Sequence, residues 1–498
     1  MGTSAEKLNK LKTTKDEIRE AINNKGGTLT ESNAFSEYAT AIEGLPSGGN
    51  DALKEILDVT KSAKYLFVGS KREPTDSSYS PTNDDGGYSK VDDNTFSKLL
   101  NFNTTSNVID MSYMFYNMHK LKSIPLFDTS KVENITGMLY CCTSVTDVPL
   151  FNTSNVTNMS SMCYNCTSLT EFPLLNTSNV TNMSSMCYNC RSLTEFPLLN
   201  TSNVTNMSSM CYNCISLTEF PSIDTSNVTN MINMFYNCTN LRKAPLIDTS
   251  KVTNMANMFG YGYYKNFLRQ NKYITELPLY DTSNVTTMYR AFSGLFSIKT
   301  IPLFNTSKVT DMGYMFAKDL GGTDPLLETI PSIDTSNVTD MRYMFSWCYS
   351  LIEIPSLDTS NVTCTGCMFK YCTSLKKVTL LNLIKVTDVY DMFHGCSKLE
   401  YLNLLNVKIN IQIGSGTSWG HLIQKDCLIQ IISELIKPES GTRTLTMGSA
   451  NIDKLADTYV KLLEDDGTGK YPFELCESTD EGAMLIRDYC TAKSWNLA

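Results

Sequence analysis

Histidine and tryptophan are scarce in this 498-residue chain, with three of each. His119, His394 and His421 stand in no metal-ligand spacing, so histidine-based acid–base and zinc chemistry has few candidates. Charge is sparse too. Asp, Glu, Lys and Arg make up 19% of residues, and the net charge of -9 is spread without a long run of either sign. There is no basic stripe of the kind that follows a phosphate backbone, which argues against nucleic-acid binding. No apolar run approaches the roughly 18 residues that a bilayer requires, so membrane insertion is not expected. The segment from Met1 to Glu20 is charged and has no apolar core, which excludes a Sec-type leader there and points to folding in a cytoplasm. The motifs H-E-x-x-H and G-x-S-x-G and a nucleotide fingerprint are missing. Gly467-Thr468-Gly469-Lys470 lacks the upstream glycine of a phosphate loop and reads as a turn. These absences lead to the expectation of a protein that is not an enzyme and uses no cofactor.

What the chain has instead is a repeat. The serine of T-S-x-V-T recurs at Ser106, Ser130, Ser154, Ser178, Ser202, Ser226, Ser250, Ser283, Ser307, Ser336 and Ser360, with a degenerate twelfth copy at Ile384. Every interval is 24 residues except 33 from Ser250 to Ser283 and 29 from Ser307 to Ser336. Self-similarity at a fixed short period is the signature of a solenoid, whose coils bury their apolar faces only against one another.

One coil, Thr153 to Asn176, shows the pattern. Val156, Met159 and Met162 are spaced for a short 3₁₀ or α-helical turn facing inward. The asparagines Asn165, Asn189, Asn213 and Asn237 are placed to satisfy backbone groups of the next coil. Leu169-Thr170-Glu171-Phe172-Pro173-Leu174 predicts one short parallel strand per coil with Leu169, Phe172 and Leu174 inward and the proline at the strand end.

Eleven of the seventeen cysteines fall in two columns of the same frame. Cys142, Cys166, Cys190, Cys214, Cys238, Cys348, Cys372 and Cys396 share one column. Cys163, Cys187 and Cys211 share another, which holds phenylalanine in other copies, so these are apolar core positions. Reduced thiols are the expectation. A zinc-ribbon reading of the C-x2-C spacing and disulfides between stacked coils are the alternatives.

These copies resemble leucine-rich repeats of the BspA type, in the D-T-S-N-V-T-N-M variant of bacterial, mycoplasmal and phage surface proteins, over about 103–405. The resemblance implies an α/β solenoid of leucine-rich-repeat coils used for adhesion or recognition. On such a solenoid the exposed strand positions form a ligand face: Asp147, Glu171, Glu195, Glu219, Arg242, Lys243 and Glu276, with Lys122, Thr300 and Lys299 alongside. The alternative is an ordinary solvated sheet. Phe127, Phe151, Tyr280 and Phe304 are expected to add apolar contacts near the strand ends. The period breaks are read as projecting loops. The longer carries Tyr261, Tyr263, Tyr264, Phe267, Arg269 and Tyr273, a composition suited to glycan or protein recognition, and the shorter spans Ala317 to Leu326.

Four regions result: 1–48 a helical attachment or oligomerisation module, 49–102 a linker and N-terminal cap, 103–405 the solenoid of about twelve coils, and 406–498 an α+β C-terminal cap. In the first, Leu8, Leu11, Ile18 and Ile22 share one helical face, and Phe35, Tyr38 and Ile42 a second. The pattern Lys15, Ile18, Ala21, Ile22, Lys25, Gly26, Phe35, Tyr38, Ala39, Ile42 resembles the N-terminal module of tail and fibre proteins of phages of Gram-positive bacteria. Thr444 to Leu455, with the closing Ala492 to Leu497, is similar to the terminal domain of phage and prophage repeat proteins, with Ser494 in place of the usual glycine and Leu462 to Cys476 as an insertion. Helices are predicted over Asp426–Ile436, Asn451–Leu463 and Thr479–Thr491, and strands at Ile411–Ile413 and Thr444–Gly448. The acidic group Asp84, Asp85, Asp92 and Asp93 lacks a calcium-loop spacing and reads as a solvated loop. The resemblances together imply a virion structural protein, a tail appendage with other virion proteins as partners at its N-terminal module and a host surface glycan or protein at its solenoid. A homo-oligomer, a trimer by expectation, fits that role. The alternatives are a bacterial cell-surface adhesin of the same repeat type and a cytosolic scaffold.

Overall fold

The computed structural model describes residues 108–124, 126, 128–262, 271–318, 324–412, 423–435, 443–446, 449–463, 470, 473–481 and 483–497. The attachment residues Leu8, Leu11, Ile18, Ile22, Phe35, Tyr38 and Ile42, the acidic group at 84–93 and four of the loop residues (Tyr263, Tyr264, Phe267, Arg269) lie outside them.

The coils stack in parallel at a fixed register. Asp110, Asn134, Asn158, Asn182, Asn206, Asn230 and Asn254 bridge in succession, and the ladder runs on through Thr287, Asp311, Asp340, Cys364 and Asp388. It crosses both period breaks, from Asn254 to Thr287 and from Asp311 to Asp340.

The segment Met159 to Cys166 supplies most of the backbone hydrogen bonds between its coil and the next. Met159, Ser161, Cys163 and Asn165 donate their N–H groups to Asn182, Ser184, Met186 and Tyr188 of the following coil, at 2.6–3.0 Å. The residues between them turn back on their own coil: Met162 to Met159, Tyr164 to Ser161 and Cys166 to Cys163. A helical turn would spend every N–H internally and leave none for the neighbour. The expected 3₁₀ or α-helical turn is therefore replaced by a run of tight turns with alternating hydrogen-bond directions. That geometry needs left-handed residues four apart, and Ser161 (φ 55°) and Asn165 (φ 60°) supply them. Gly137 holds the first of these positions in its coil at φ 57°, and the Tyr113 ring lies where a Cβ would stand.

The predicted strand is likewise mostly absent. In most coils one backbone bond per coil survives there, as from Thr170 N–H to Thr146 O at 3.1 Å. Proline is the cause, since it removes a ladder donor. At each Pro–Leu–Leu the chain makes a three-residue turn, with Leu175 N–H donating to Pro173 O at 2.9 Å and Leu199 N–H to Pro197 O at 2.9 Å. The turn shifts the facing by one residue. Leu174 is exposed and Leu175 is buried, which corrects the inward assignment of Leu174. Where Thr379 and Asn403 replace the proline, full strands form, β2 Lys377–Asn382 and β3 Tyr401–Leu405; the two-residue β1 Glu353–Ile354, which stops at Pro355, pairs with the start of β2, and the three are parallel in the order β1-β2-β3.

The core runs the length of the stack. Val156, Met159, Met162, Cys163, Cys166 and Leu169 are wholly buried, as are their counterparts in the next coil. Phe151, Tyr280 and Phe304 belong to this core and offer nothing at a surface, against expectation; Phe127 lies outside the described residues.

After β3 the chain forms β4 Ile411–Gln412, α1 Lys425–Ser433, β5 Arg443–Thr446, α2 Ser449–Asp453, β6 Tyr459–Leu462, β7 Phe473–Cys476, β8 Met484–Leu485, α3 Ile486–Ala492 and β9 Trp495–Leu497. Strands β4, β5 and β9 form a parallel sheet, and β6 pairs antiparallel with β7 and β8. The helix predicted over Asn451–Leu463 is confined to α2, and its second half is β6 instead. Helix α1 buries Cys427, Leu428, Ile431 and Ile432, and its Gln430 amide donates to Leu404 O of β3 at 3.0 Å, which covers the open end of the last coil.

Two neighbouring leucines test this register. Leu199 is 3% exposed and Leu198 64%. Leu199→Ala is expected to cost about 2–5 kcal/mol and Leu198→Ala less than about 0.5 kcal/mol in denaturant unfolding. Equal costs would overturn the assignment of the two faces.

Candidate functional site

Stacking turns each coil position into a line of like residues, and these lines divide into inward and outward ones. Inside, each column cysteine donates its thiol to a carbonyl of the coil before: Cys166 to Leu139 O at 3.1 Å, Cys190 to Cys163 O at 3.1 Å, Cys214 to Cys187 O at 3.1 Å. All seventeen cysteines are free. The sequence had placed these cysteines in one column, but not shown that their thiols donate across coils. Asn271, at the cysteine position of the coil with the longer break, keeps that role through its amide, which donates to Cys238 O at 3.0 Å and Leu241 O at 2.7 Å.

The asparagine column does not bond backbone with its side chains, contrary to expectation. The Asn189 amide donates to Asn165 Oδ1, Asn213 to Asn189 and Asn237 to Asn213, a side-chain ladder. Beside it Tyr140, Tyr164, Tyr188, Tyr212 and Tyr236 stack with ring centroids 4.3–4.5 Å apart and planes within 9°.

Outside lies the predicted ligand face. Asp147, Glu171, Glu195, Glu219, Arg242, Lys243 and Glu276 are all exposed and follow one another coil by coil; Glu195 and Glu219 bridge directly. Three residues along the chain stands a second outward line that sequence reasoning missed: Leu126, Leu150, Leu174, Leu198, Leu246, Leu279 and Leu303, from 62% to 72% exposed. The available signal was the proline before each leucine, whose turn reverses the facing. Beyond it comes a line of Asn and Asp. Asp224 and Asp281 accept the backbone N–H of Ser226 and Ser283, which holds both carboxyls below their ordinary range and keeps them ionised. From the seventh to the ninth coil an open groove of ≈ 510 Å³ lies on the same face, between Glu276, Lys299, Ile301 and Leu326. Lys299 pairs there with Glu328 at 2.9 Å.

Of the residues read as a recognition loop at the longer period break, Tyr261 and Tyr273 lie among the described residues. Tyr261 is buried with its ring edge against Phe296, 5.4 Å between centroids, so it serves packing. Tyr273 is exposed, with Lys272 Nζ 5.4 Å from its ring. In the shorter break Lys318 is buried and reaches Asp324 at 2.7 Å. Among the described residues no group of three or more His, Cys, Asp or Glu is arranged to hold a metal ion, and no helix is long and apolar enough to cross a membrane.

The family described as "Mycoplasma protein of unknown function, DUF285" matches at residues 88–198, 170–267, 195–293, 261–321 and 295–406, well over half of the chain. The chain belongs to this family. The DUF285 matches overlap along the stack, as expected where one family unit covers several coils. No curated protein matches the sequence. Among solved structures, a leucine-rich repeat protein from Eubacterium ventriosum is similar at 15% identity and a TM-score of 0.28, over 57% of this chain and 76% of that one. The functional domain of InlJ from Listeria monocytogenes, described as including a cysteine ladder, is similar at 14% identity and a TM-score of 0.20, over 79% and 84%.

Burial sets the chemistry of the enclosed thiols and hydroxyls. It pushes the Cys141 thiol up to about 11 and those of Cys396 and Cys490 to about 12, and it raises the Tyr140 hydroxyl to about 12. Each raised value means that the fold favours the neutral form. The resulting stability is fully present below the ordinary values of 9.0 for thiol and 10.0 for tyrosine, and is lost as pH rises through the folded values. The melting temperature is therefore expected to hold from neutrality to about pH 9 and to fall steeply by about pH 12, the range of these raised values. A flat alkaline profile would contradict it. In the native protein a thiol reagent is expected to reach only the partly exposed Cys364 and Cys476, and all seventeen after unfolding.

Proposed function

We propose that this DUF285 protein is a non-enzymatic binding protein, a phage virion appendage whose solenoid contacts the host cell surface. The observation that carries the binding role is the division of labour between columns. Cysteine, asparagine and tyrosine are spent on internal ladders, while acids and leucines are presented outward at the same place on coil after coil. A repeated outward line serves an extended surface contact, whereas catalysis needs a unique constellation. The face carboxylates Glu171, Glu195 and Glu219 are members of such a line and exposed, which fits contact and not acid–base work.

Support for the virion placement comes from the N-terminal pattern running from Lys15 to Ile42, with its similarity to the attachment modules of phage tail and fibre proteins. In this reading Leu8, Leu11, Ile18, Ile22, Phe35, Tyr38 and Ile42 meet other virion proteins, and the particle carries the protein as a homo-oligomer. A second reading, a bacterial cell-surface adhesin, draws on the family description, which names a bacterium.

Immunogold labelling of purified particles separates the two. One antibody is raised against residues 1–48 and another against 103–405. Labelling of the solenoid at the tail or particle surface, with the N-terminal epitope masked, is the expected result. Label confined to bacterial cells would replace the virion reading with the adhesin.

A further inference from the structure

The leucine line has no role in folding, and its surroundings say what it suits. Leu126, Leu150, Leu174 and Leu198 stand on four successive coils, each about two-thirds exposed and each preceded by a proline. After a break at Ser222 the line resumes at Leu246, Leu279 and Leu303. Exposed apolar area of more than a few hundred Å² in one contiguous line marks a contact surface and is costly to leave in water. Glycans are poorly served by aliphatic side chains, so the line points to a protein partner.

Charge defines that partner further. On one side the leucines are bordered by Asp147, Glu171, Glu195 and Glu219, all exposed. On the other side runs the Asn and Asp line, in which Asp224 and Asp248 are exposed carboxylates. From the second to the fifth coil neither border contains a lysine or arginine. A second copy of this chain turned face to face and antiparallel would set one copy's acidic border against the other's, which disfavours self-association here. The spacing is informative as well. Stacked coils repeat at about 4.8 Å, and a helix lying along the line presents a residue each turn of about 5.4 Å. The mismatch amounts to about 2 Å over three coil steps, small enough for one helix face to stay in register with Leu126 to Leu198.

We propose that this face binds a cationic amphipathic helix of a partner protein, its apolar stripe on the leucine line and its Lys or Arg residues against the flanking carboxylates. The proposal rests on the reading of the solenoid as a binding surface, and is independent of whether a virion or a cell displays it.

The test uses the full chain and two labelled synthetic helical peptides. One carries a leucine stripe flanked by lysines; the other has glutamate in place of every lysine. Fluorescence anisotropy is expected to show binding of the lysine peptide only, weakening as salt is raised. The Leu174→Ser/Leu198→Ser and Glu171→Gln/Glu195→Gln double variants are each expected to weaken it at least about tenfold with unchanged melting, since all four residues are exposed. Equal binding of both peptides, or binding that neither double variant alters, overturns the proposal. So does a wild-type dimer in sedimentation that the leucine variant abolishes, because the occupant is then a second copy. If neither peptide binds yet host-surface binding persists in both variants, this inference fails and the proposed function stands. Loss of surface binding by the wild-type solenoid itself would sink that reading instead.

Discussion

Everything in the stack depends on how one short stretch of backbone shares its N–H groups. From Met159 to Cys166 alternate N–H groups go forward to the next coil and back to the turn just made. A buried backbone donor without a partner costs about 1–3 kcal/mol, so this arrangement, which satisfies both sets, leaves little freedom to slip. Its cost is a left-handed residue at every fourth position. Serine, asparagine and glycine take most of these places in the earlier coils, while Arg290, Tyr314, Tyr343 and Trp347 are held there in the later ones. Bulky residues adopt that conformation only when their surroundings compel it. Here the compelling element is the pair of neighbouring coils.

Once register is set, like residues fall on like, and each side-chain line gains from the repetition. Tyrosine rings stack, asparagine amides chain head to tail, and thiols find the carbonyl of the coil before. Contacts are made only to nearest neighbours, so stability grows coil by coil and the ends need special treatment. Helix α1 supplies it at the C-terminal end by laying its apolar face over β3. At the longer break, nine residues beyond the regular period, Asn271 stands at the cysteine position and its amide donates to Cys238 O and Leu241 O of the coil before.

Much of the candidate face was legible because exposure at Glu171 or Glu195 follows from counting along the repeat. The leucine line was not. Leu169, Phe172 and Leu174 satisfy a strand pattern, and only the turn made at Pro173 moves Leu174 out and Leu175 in. Tyr261 shows the same limit. An aromatic in an insertion reads as a recognition residue until the packing of Phe296 against it is seen. The helix predicted over Asn451–Leu463 failed for a related reason. Its second half pairs with Phe473–Cys476 as β6, and that partner lies within the segment taken for an insertion.

The sequence by itself determined the period, the parallel stacking it implies, the columns that form the core and the interchange of cysteine with phenylalanine within one of them. These properties follow from self-similarity and apolar spacing, which are local and repeat wherever the repeat does. Only the tertiary structure decided where each N–H is spent, which of two adjacent leucines meets solvent, and that asparagine amides bond one another. The leucine facing turns on one local bond, Leu175 N–H to Pro173 O, whereas the other two depend on groups 23 or 24 residues away, as from Met159 N–H to Asn182 O and from the Asn237 amide to Asn213. Such partners exist for a coil only when its neighbours are already in place.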